Sequence, residues 1–345
     1  MRIIFYSFII LIAILVVVIF DQIVYWSSRV ITNKETAQMV RCCLTGLLLV
    51  VLIVSALWGH YVTRFKIDIT QTEVVSEKLP AAFNGYKVVQ ISDLHLDWFE
   101  SERGHRFVEE MVDSILSVKP DLIVFTGDIV TIHSHEADSF IPSLKRLASA
   151  GIPVYSILGN HDYADYTRFE TEQKKKDVLR LCNLQENAGW HMLCNQGVWI
   201  EKDSARIALL GVENIGEPPF SIYGNLPAAF SHLRFSQQDS IGTEPDWEHL
   251  MRETFKILLS HNPTHWRSEV IPDTDIDLML AGHTHAVQIK IGNWSPAKWK
   301  YPEWGGLYSE GEQKLYVNTG IGGVGIPVRI GVPPEITVLT LRKKK

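Results

Sequence analysis

The stretch Pro153-Val154-Tyr155-Ser156-Ile157-Leu158-Gly159-Asn160-His161-Asp162 decides the fold. Its first six residues form a short run, mostly apolar and β-favouring, as expected of a buried central strand. Asn160, His161 and Asp162 then place an amide oxygen, an imidazole and a carboxylate in succession, after a glycine that frees the backbone to turn. A strand ending in metal-competent groups is the pattern to seek elsewhere in the chain.

It recurs four times. Residues 87–91 run into Ser92-Asp93-Leu94-His95 and residues 121–125 into Thr126-Gly127-Asp128. Residues 255–259 run into Ser260-His261-Asn262-Pro263, and residues 277–280 into Ala281-Gly282-His283-Thr284-His285. In an extended backbone Asp93 and His95 project from one face and can grip one ion, and His283 and His285 repeat that two-apart geometry. Asp128 offers a carboxylate with two oxygens, able to bridge two cations. Taken singly, each histidine reads as a hydrogen-bonded core or surface residue. The set reads differently, because active sites of parallel α/β sheets form outside the carboxyl ends of the strands.

Between these runs, residues 106–117, 139–150 and 166–188 carry apolar positions at helical spacing, and Pro120 and Gly151 stop the first two. Strands alternating with helices predict an α/β domain. Residues 314–319 and 335–341 alternate as strands around a glycine-rich region, 320–331. That region has the composition of a phosphate loop, but no helix follows it, so it reads as a tight connection between strands.

The donor set combines carboxylate, amide oxygen and imidazole and lacks thiolate. It suits Mn²⁺, Fe²⁺ or Zn²⁺ rather than a structural zinc knot, and about seven ligands with one shared carboxylate suit two ions. These motifs resemble the calcineurin-like metallophosphoesterase superfamily, and their spacing resembles its YkuE/YaeI-like branch. The likeness runs over residues 79–341 and includes Leu79-Pro80 and Tyr316-Val317-Asn318-Thr319-Gly320.

The resemblance implies a four-layer fold, two packed mixed β-sheets flanked by helices. It implies one metal held by Asp93, His95, Asp128 and His285, and a second held by Asp128, Asn160, His261 and His283. His161 would stand beside the phosphoryl group, stabilising its charge or protonating the leaving oxygen, with Asp162 orienting its imidazole. The two ions would activate a water for in-line attack without a covalent intermediate. One departure is visible: where the branch usually has two glycines after the last histidine, this chain has Ala286-Val287.

The first 66 residues differ in kind from the rest. Residues 3–20 and 42–61 are apolar runs long enough to span a bilayer, and Tyr25 and Trp26 suit its interface. No small-residue cleavage pattern follows Phe20, so a two-helix hairpin is expected at 1–66, ahead of one catalytic domain at 67–345. Arg2, Arg64, Lys66 and Lys78 on the domain side, against Arg29, Lys34 and Arg41 in the connection, lean towards a cytoplasmic domain.

Residues 67–345 hold 27 basic and 37 acidic residues, a formal net charge of −10, which disfavours nucleic acid as a partner. Cys42 and Cys43 lie in the second apolar run, and with Cys182 and Cys194 they make no disulfide framework; free thiols are expected.

The expected activity is hydrolysis of a phosphodiester or pyrophosphate bond, with the bilayer as partner and a lipid-linked substrate such as a UDP-acylated sugar or a phospholipid. The alternatives are a tethered metal-binding protein without turnover and a metal-dependent nuclease. Residues 213–249, with Phe220, Tyr223, Leu226, Phe230, Leu233 and Phe235, read either as a surface insertion with its own small cluster or as a substrate lid. Trp294, Trp299, Tyr301 and Trp304 read either as a packed loop or as a rim touching substrate or bilayer.

Overall fold

A computed structural model describes residues 2–217, 221–238 and 246–344. Phe220 of the aromatic stretch and the terminal Lys345 lie outside the described residues.

Two long helices come first, α1 (Arg2–Ile31) and α2 (Lys34–Tyr61). The expected connection between two shorter spans is therefore itself helical. Only Thr32 and Asn33 separate the helices, and the Asn33 side chain caps α2 by accepting from Thr36 N at 2.9 Å. Asp21 and Arg41 pair across the hairpin at 2.6 Å, and Thr45 Oγ1 donates to Asp21 at 3.0 Å. Both helices are long and apolar enough to cross a membrane, and their apolar windows are exposed rather than buried in a core. At 28 residues α2 is about 42 Å long, more than the roughly 30 Å of a hydrocarbon layer, so the polar end bearing Arg41 can stand outside it.

The rest of the chain forms two six-stranded sheets. The first contains β1 (Asp68–Ser76), β2 (Lys87–Ile91), β3 (Leu122–Phe125), β4 (Val154–Ser156), β5 (His191–Met192) and β12 (Glu335–Lys343) in the order β1-β12-β2-β3-β4-β5. The second contains β6 (Gln196–Lys202), β7 (Ala205–Gly211), β8 (Lys256–Leu259), β9 (Leu278–Ala281), β10 (Gly306–Glu310) and β11 (Gln313–Val317) in the order β10-β11-β9-β8-β7-β6. Each is mixed: β2, β3, β4 and β5 run parallel while β12 is antiparallel to β2, and β7, β8, β9 and β11 run parallel with antiparallel edges.

The unbroken apolar runs are explained by burial on both faces of each sheet. In β3, Leu122 and Val124 face the second sheet, while Ile123 and Phe125 face α3 (Glu102–Ser117), α4 (Ile141–Ser149) and α5 (Thr171–Asn187). In β9, Leu278 and Leu280 enter the same inter-sheet core, and Met279 and Ala281 face the opposite layer. Period-two alternation thus feeds two cores from one strand, and helix, sheet, sheet and helix stack as four layers.

The stretch 213–249 supplies part of the outer layer. It contains α6 (Leu226–Gln238) and the start of α7 (Trp247–Glu253). Leu226, Ala229 and Leu233 are buried against the second sheet, whereas Phe235 is exposed.

Candidate metal centre

The carboxyl ends of β2, β3, β4, β8 and β9 meet at one edge of the two packed sheets. Backbone bonds fasten the loops that follow them: Asp93 N donates to Gly127 O at 2.9 Å and His95 N to Asp128 O at 3.2 Å. The sheets are tied by His283 N, which donates to both oxygens of Asp93 at 3.2 and 3.0 Å. Gly282 makes this approach possible, because a Cβ there would lie 2.0 Å from Ser92 Oγ and 2.2 Å from Asp93 Oδ2.

All nine residues singled out from the sequence come together here. Donor atoms of Asp93, His95 and His285 lie within 4.8 Å of one another, and those of Asp128, His261 and His283 do the same. Asp128 stands between the groups. Its Oδ2 is 3.6 Å from His95 Nε2 and 3.1 Å from His261 Nε2, and Asn160 Oδ1 is 3.1 Å from that same His261 nitrogen.

These residues fit divalent cations. Nε2 of His95, which faces Asp128 Oδ2, is buried without a hydrogen-bond partner, a costly state that a cation at the centre relieves. The opposite nitrogens are mostly engaged in ways that fix the rings: His261 Nδ1 donates to Thr126 O at 2.7 Å, His95 Nδ1 meets Thr131 Oγ1 at 3.0 Å, and His283 Nε2 meets Tyr301 OH at 2.9 Å.

The electrostatics agree. Burial, with His95 and His261 respectively adding to it, pushes His285 well below the ordinary histidine range and His283 down to about 3, and burial with His161 nearby does the same to His95. All three are neutral and ready to coordinate. Burial raises Asp93 to about 7, with Asp128 adding to the effect. Burial opposes a charge on His261, but the Asp128 carboxylate outweighs it and lifts the imidazole to about 10.

Two expectations need correction. Asp162 does not orient the His161 ring. Its carboxylate accepts from Asp128 N at 2.8 Å, Ile129 N at 3.0 Å, Val130 N at 3.3 Å and Gly159 N at 2.8 Å, so it fixes the backbone that presents Asp128. His161 is held instead by Nδ1–H donating to Thr131 O at 2.7 Å and by stacking on Tyr166 at 4.3 Å. Nor do Asp93 and His95 project from extended backbone. Their φ values are 51° and 43°, and His283 and His285 are also left-handed, at 72° and 49°. Such backbone concentrates at functional sites.

Thr131, Tyr166 and Arg329 were not singled out from sequence. Arg329 is fully buried, and its guanidinium donates to the carbonyls of Thr319, Gly320 and Gly322 at 2.9, 2.9 and 2.6 Å, which shapes the glycine-rich loop behind the centre. A lone arginine among glycines was the available signal.

The Ala286-Val287 departure is structural. These residues hold φ of 51° and 48°, the conformation glycine adopts freely, and a β-branched side chain there is an outlier. Val287 is half exposed, so its packing contributes little. Val287→Gly is expected to stabilise the protein by about 1 kcal/mol, seen as a higher thermal midpoint in detergent. A lower midpoint would show that the valine contacts outweigh the strain.

Comparison with known proteins agrees with this geometry. The sequence profile of the calcineurin-like phosphoesterase family matches residues 86–287. The metallophosphoesterase YkuE of Bacillus subtilis is 30% identical over 302 residues, which cover 83% of this chain and 89% of that protein. A transmembrane protein with metallophosphoesterase domain from Bos taurus is 30% identical over 281 residues, covering 79% of this chain and 57% of that protein. The UDP-2,3-diacylglucosamine pyrophosphatase LpxG of Chlamydia muridarum is 24% identical over 312 residues, covering 83% and 93%.

Proposed function

The chain belongs to the calcineurin-like phosphoesterase family and is a metal-dependent phosphoric ester hydrolase, and from that premise we propose that it is anchored in a bilayer and cleaves a phosphodiester or pyrophosphate bond in a lipid-borne substrate. The observation that carries the reading is the pair of adjoining donor clusters, with Asp128 Oδ2 facing a histidine of each. The exposed apolar helices supply the anchor, and the Lys/Arg count leans towards a cytoplasmic domain. The name of the chlamydial relative, a pyrophosphatase acting on an acylated UDP sugar, supports a lipid-linked substrate.

In this reading Asp93, His95, Asp128 and His285 hold one divalent ion and Asp128, Asn160, His261 and His283 the other. Mn²⁺, Fe²⁺ and Zn²⁺ all suit these donors. Bound ions would supply Lewis acidity, lowering the pKa of water towards neutrality and neutralising phosphate charge. The chain's own residues do the rest. Thr131 O holds the proton on His161 Nδ1, so in the imidazolium form the second proton, on Nε2, is the one given to the departing oxygen, leaving a neutral ring. Tyr166 holds the ring in plane, Asp162 holds the Asp128 backbone, and Tyr301 holds His283.

Coordination requires neutral imidazole and ionised carboxylate. With His261 at about 10 and Asp93 at about 7, metal uptake at pH 8 is expected to release about one proton from these ligands, rising towards two as pH falls through 7, beside any proton released by bound water, so affinity weakens as pH falls. Calorimetry in buffers of different ionisation enthalpy checks this; a proton count of zero across the range would contradict it.

The reading itself is tested by supplying the purified full-length chain with Mn²⁺ and offering bis(p-nitrophenyl) phosphate, nucleotides, UDP-acyl sugars and phospholipids. Turnover of the aryl diester, and faster turnover of a lipid-linked substrate, is expected. Failure to cleave any of them would sink the proposal.

A further inference from the structure

The segment after the last metal-competent histidine carries a pattern the chemistry does not use. Val287, Ile291, Trp294 and Trp299 are 51, 67, 40 and 83% exposed. The two indoles meet edge to face at 5.6 Å. Lys290, Lys298 and Lys300 are interleaved with them, the last also pairing with Glu217 at 2.5 Å. On a domain of net charge −10 this is a local reversal of character. Exposed indole and aliphatic side chains with lysines between them suit the headgroup region of an anionic bilayer.

Hydrogen bonds link this tip to the anchor. Gln288 Nε2 donates to Ile326 O at 2.8 Å and Val328 O at 2.9 Å, and Lys290 N donates to Ile330 O at 2.8 Å. The same loop meets the end of α2, where Arg329 N donates to Gly59 O at 3.4 Å and His60 Nδ1 to Pro327 O at 2.9 Å. A Cβ on Gly59 would lie 2.8 Å from Arg329 O, so helix and loop are in direct contact. Trp58 and Tyr61 stand exposed beside that contact, as aromatic residues do where a spanning helix reaches water.

The tip is equally tied to the candidate metal centre. It begins directly after His285, and Tyr301 at its far end meets His283. Its backbone is held by the buried Ser295, whose Oγ donates to Ala286 O at 2.6 Å and accepts from Ala297 N at 3.1 Å.

We propose that residues 287–300 are a bilayer-inserting tip. Ile291, Trp294 and Trp299 enter the leaflet from which α2 emerges, and the lysines take its anionic headgroups. The centre is thereby held at the lipid surface, where a phosphoester at headgroup depth reaches it without leaving the membrane. This rests on reading α1 and α2 as a bilayer anchor. A second protein copy would also cover the apolar side chains, but the interleaved lysines and the shared boundary with Trp58 and Tyr61 favour lipid.

The test reconstitutes the full-length chain in vesicles of phosphatidylcholine and phosphatidylglycerol, with and without bromines on the upper acyl chain. Fluorescence of the wild type minus that of the W294F/W299F variant isolates the two exposed indoles, and the single W299F variant is run in parallel. The difference signal is expected to fall about twofold or more in brominated vesicles. An unquenched difference signal with water-exposed emission, from protein that floats with the vesicles and resists alkaline extraction, overturns the tip and leaves the anchor standing. Protein that does not float, or that alkali extracts, overturns the anchor and the tip together.

Discussion

Asp128→Asn is expected to lower phosphodiester hydrolysis by about 10³-fold or more, since the bound ions supply several kcal/mol of transition-state stabilisation and each 1.36 kcal/mol is a factor of ten. The size follows from position. One oxygen of this carboxylate, Oδ2, faces both His95 and His261, so a single substitution removes a negative donor from both groups at once. The other oxygen accepts from His161 N at 2.8 Å, a bond the asparagine carbonyl can keep, and no apolar contact is lost. Metal content should therefore fall while the circular dichroism spectrum stays native. Activity within tenfold of wild type would remove Asp128 from its bridging role.

His161→Gln is expected to act differently, lowering turnover of substrates with poor leaving groups by about 10²- to 10⁴-fold, the usual range for a lost general acid. Metal content should be unchanged, because His161 Nδ1 is committed to Thr131 O and the ring stands beside the donor clusters. The defect should shrink for p-nitrophenyl esters, whose leaving group departs without a proton. An equal loss on alkyl and nitrophenyl esters would assign His161 to charge stabilisation in place of proton transfer. No loss on either would exclude it from the chemistry.

Much of the fold and the whole candidate donor set were legible in the sequence because one physical rule governs both. Strands buried on two faces read as unbroken apolar runs, and β2, β3, β4, β8 and β9 each end in polar groups that a solvent-exposed loop would have no reason to concentrate. The less regular elements were harder to read. β1 carries the polar sequence Asp-Ile-Thr-Gln-Thr-Glu at a sheet edge and is recognisable only from its parallel pairing with β12. α6 hides behind Pro227 and aromatic residues spread around its surface, so its buried Leu226, Ala229 and Leu233 face was not apparent.

Helix ends and ring orientations belong to tertiary structure. Polar residues between the two apolar runs suggested a loop, yet Asp21 and Arg41 satisfy each other across the hairpin and the helices continue past them. The left-handed backbone at Asp93, His95, His283 and His285 has no propensity signature, since none of these residues is glycine. It occurs where the β2 and β9 loops meet, at Gly282, which lies too close to Ser92 and Asp93 for any side chain. Asp162 was recognised as part of the site but not for its task, because proximity in sequence to His161 suggested a partner that the backbone amides of Asp128, Ile129 and Val130 supply instead.

In the proposed mechanism two adjoining donor clusters, with Asp128 between them, hold two ions that act together on a phosphoester. It is tested most directly by titrating Mn²⁺ into the metal-free full-length chain while reading bound metal by mass spectrometry and bis(p-nitrophenyl) phosphate hydrolysis on the same samples. Saturation at two ions per chain is expected, with activity rising as the second binds. Saturation at one ion with full activity, or two bound ions with no hydrolysis, would contradict it.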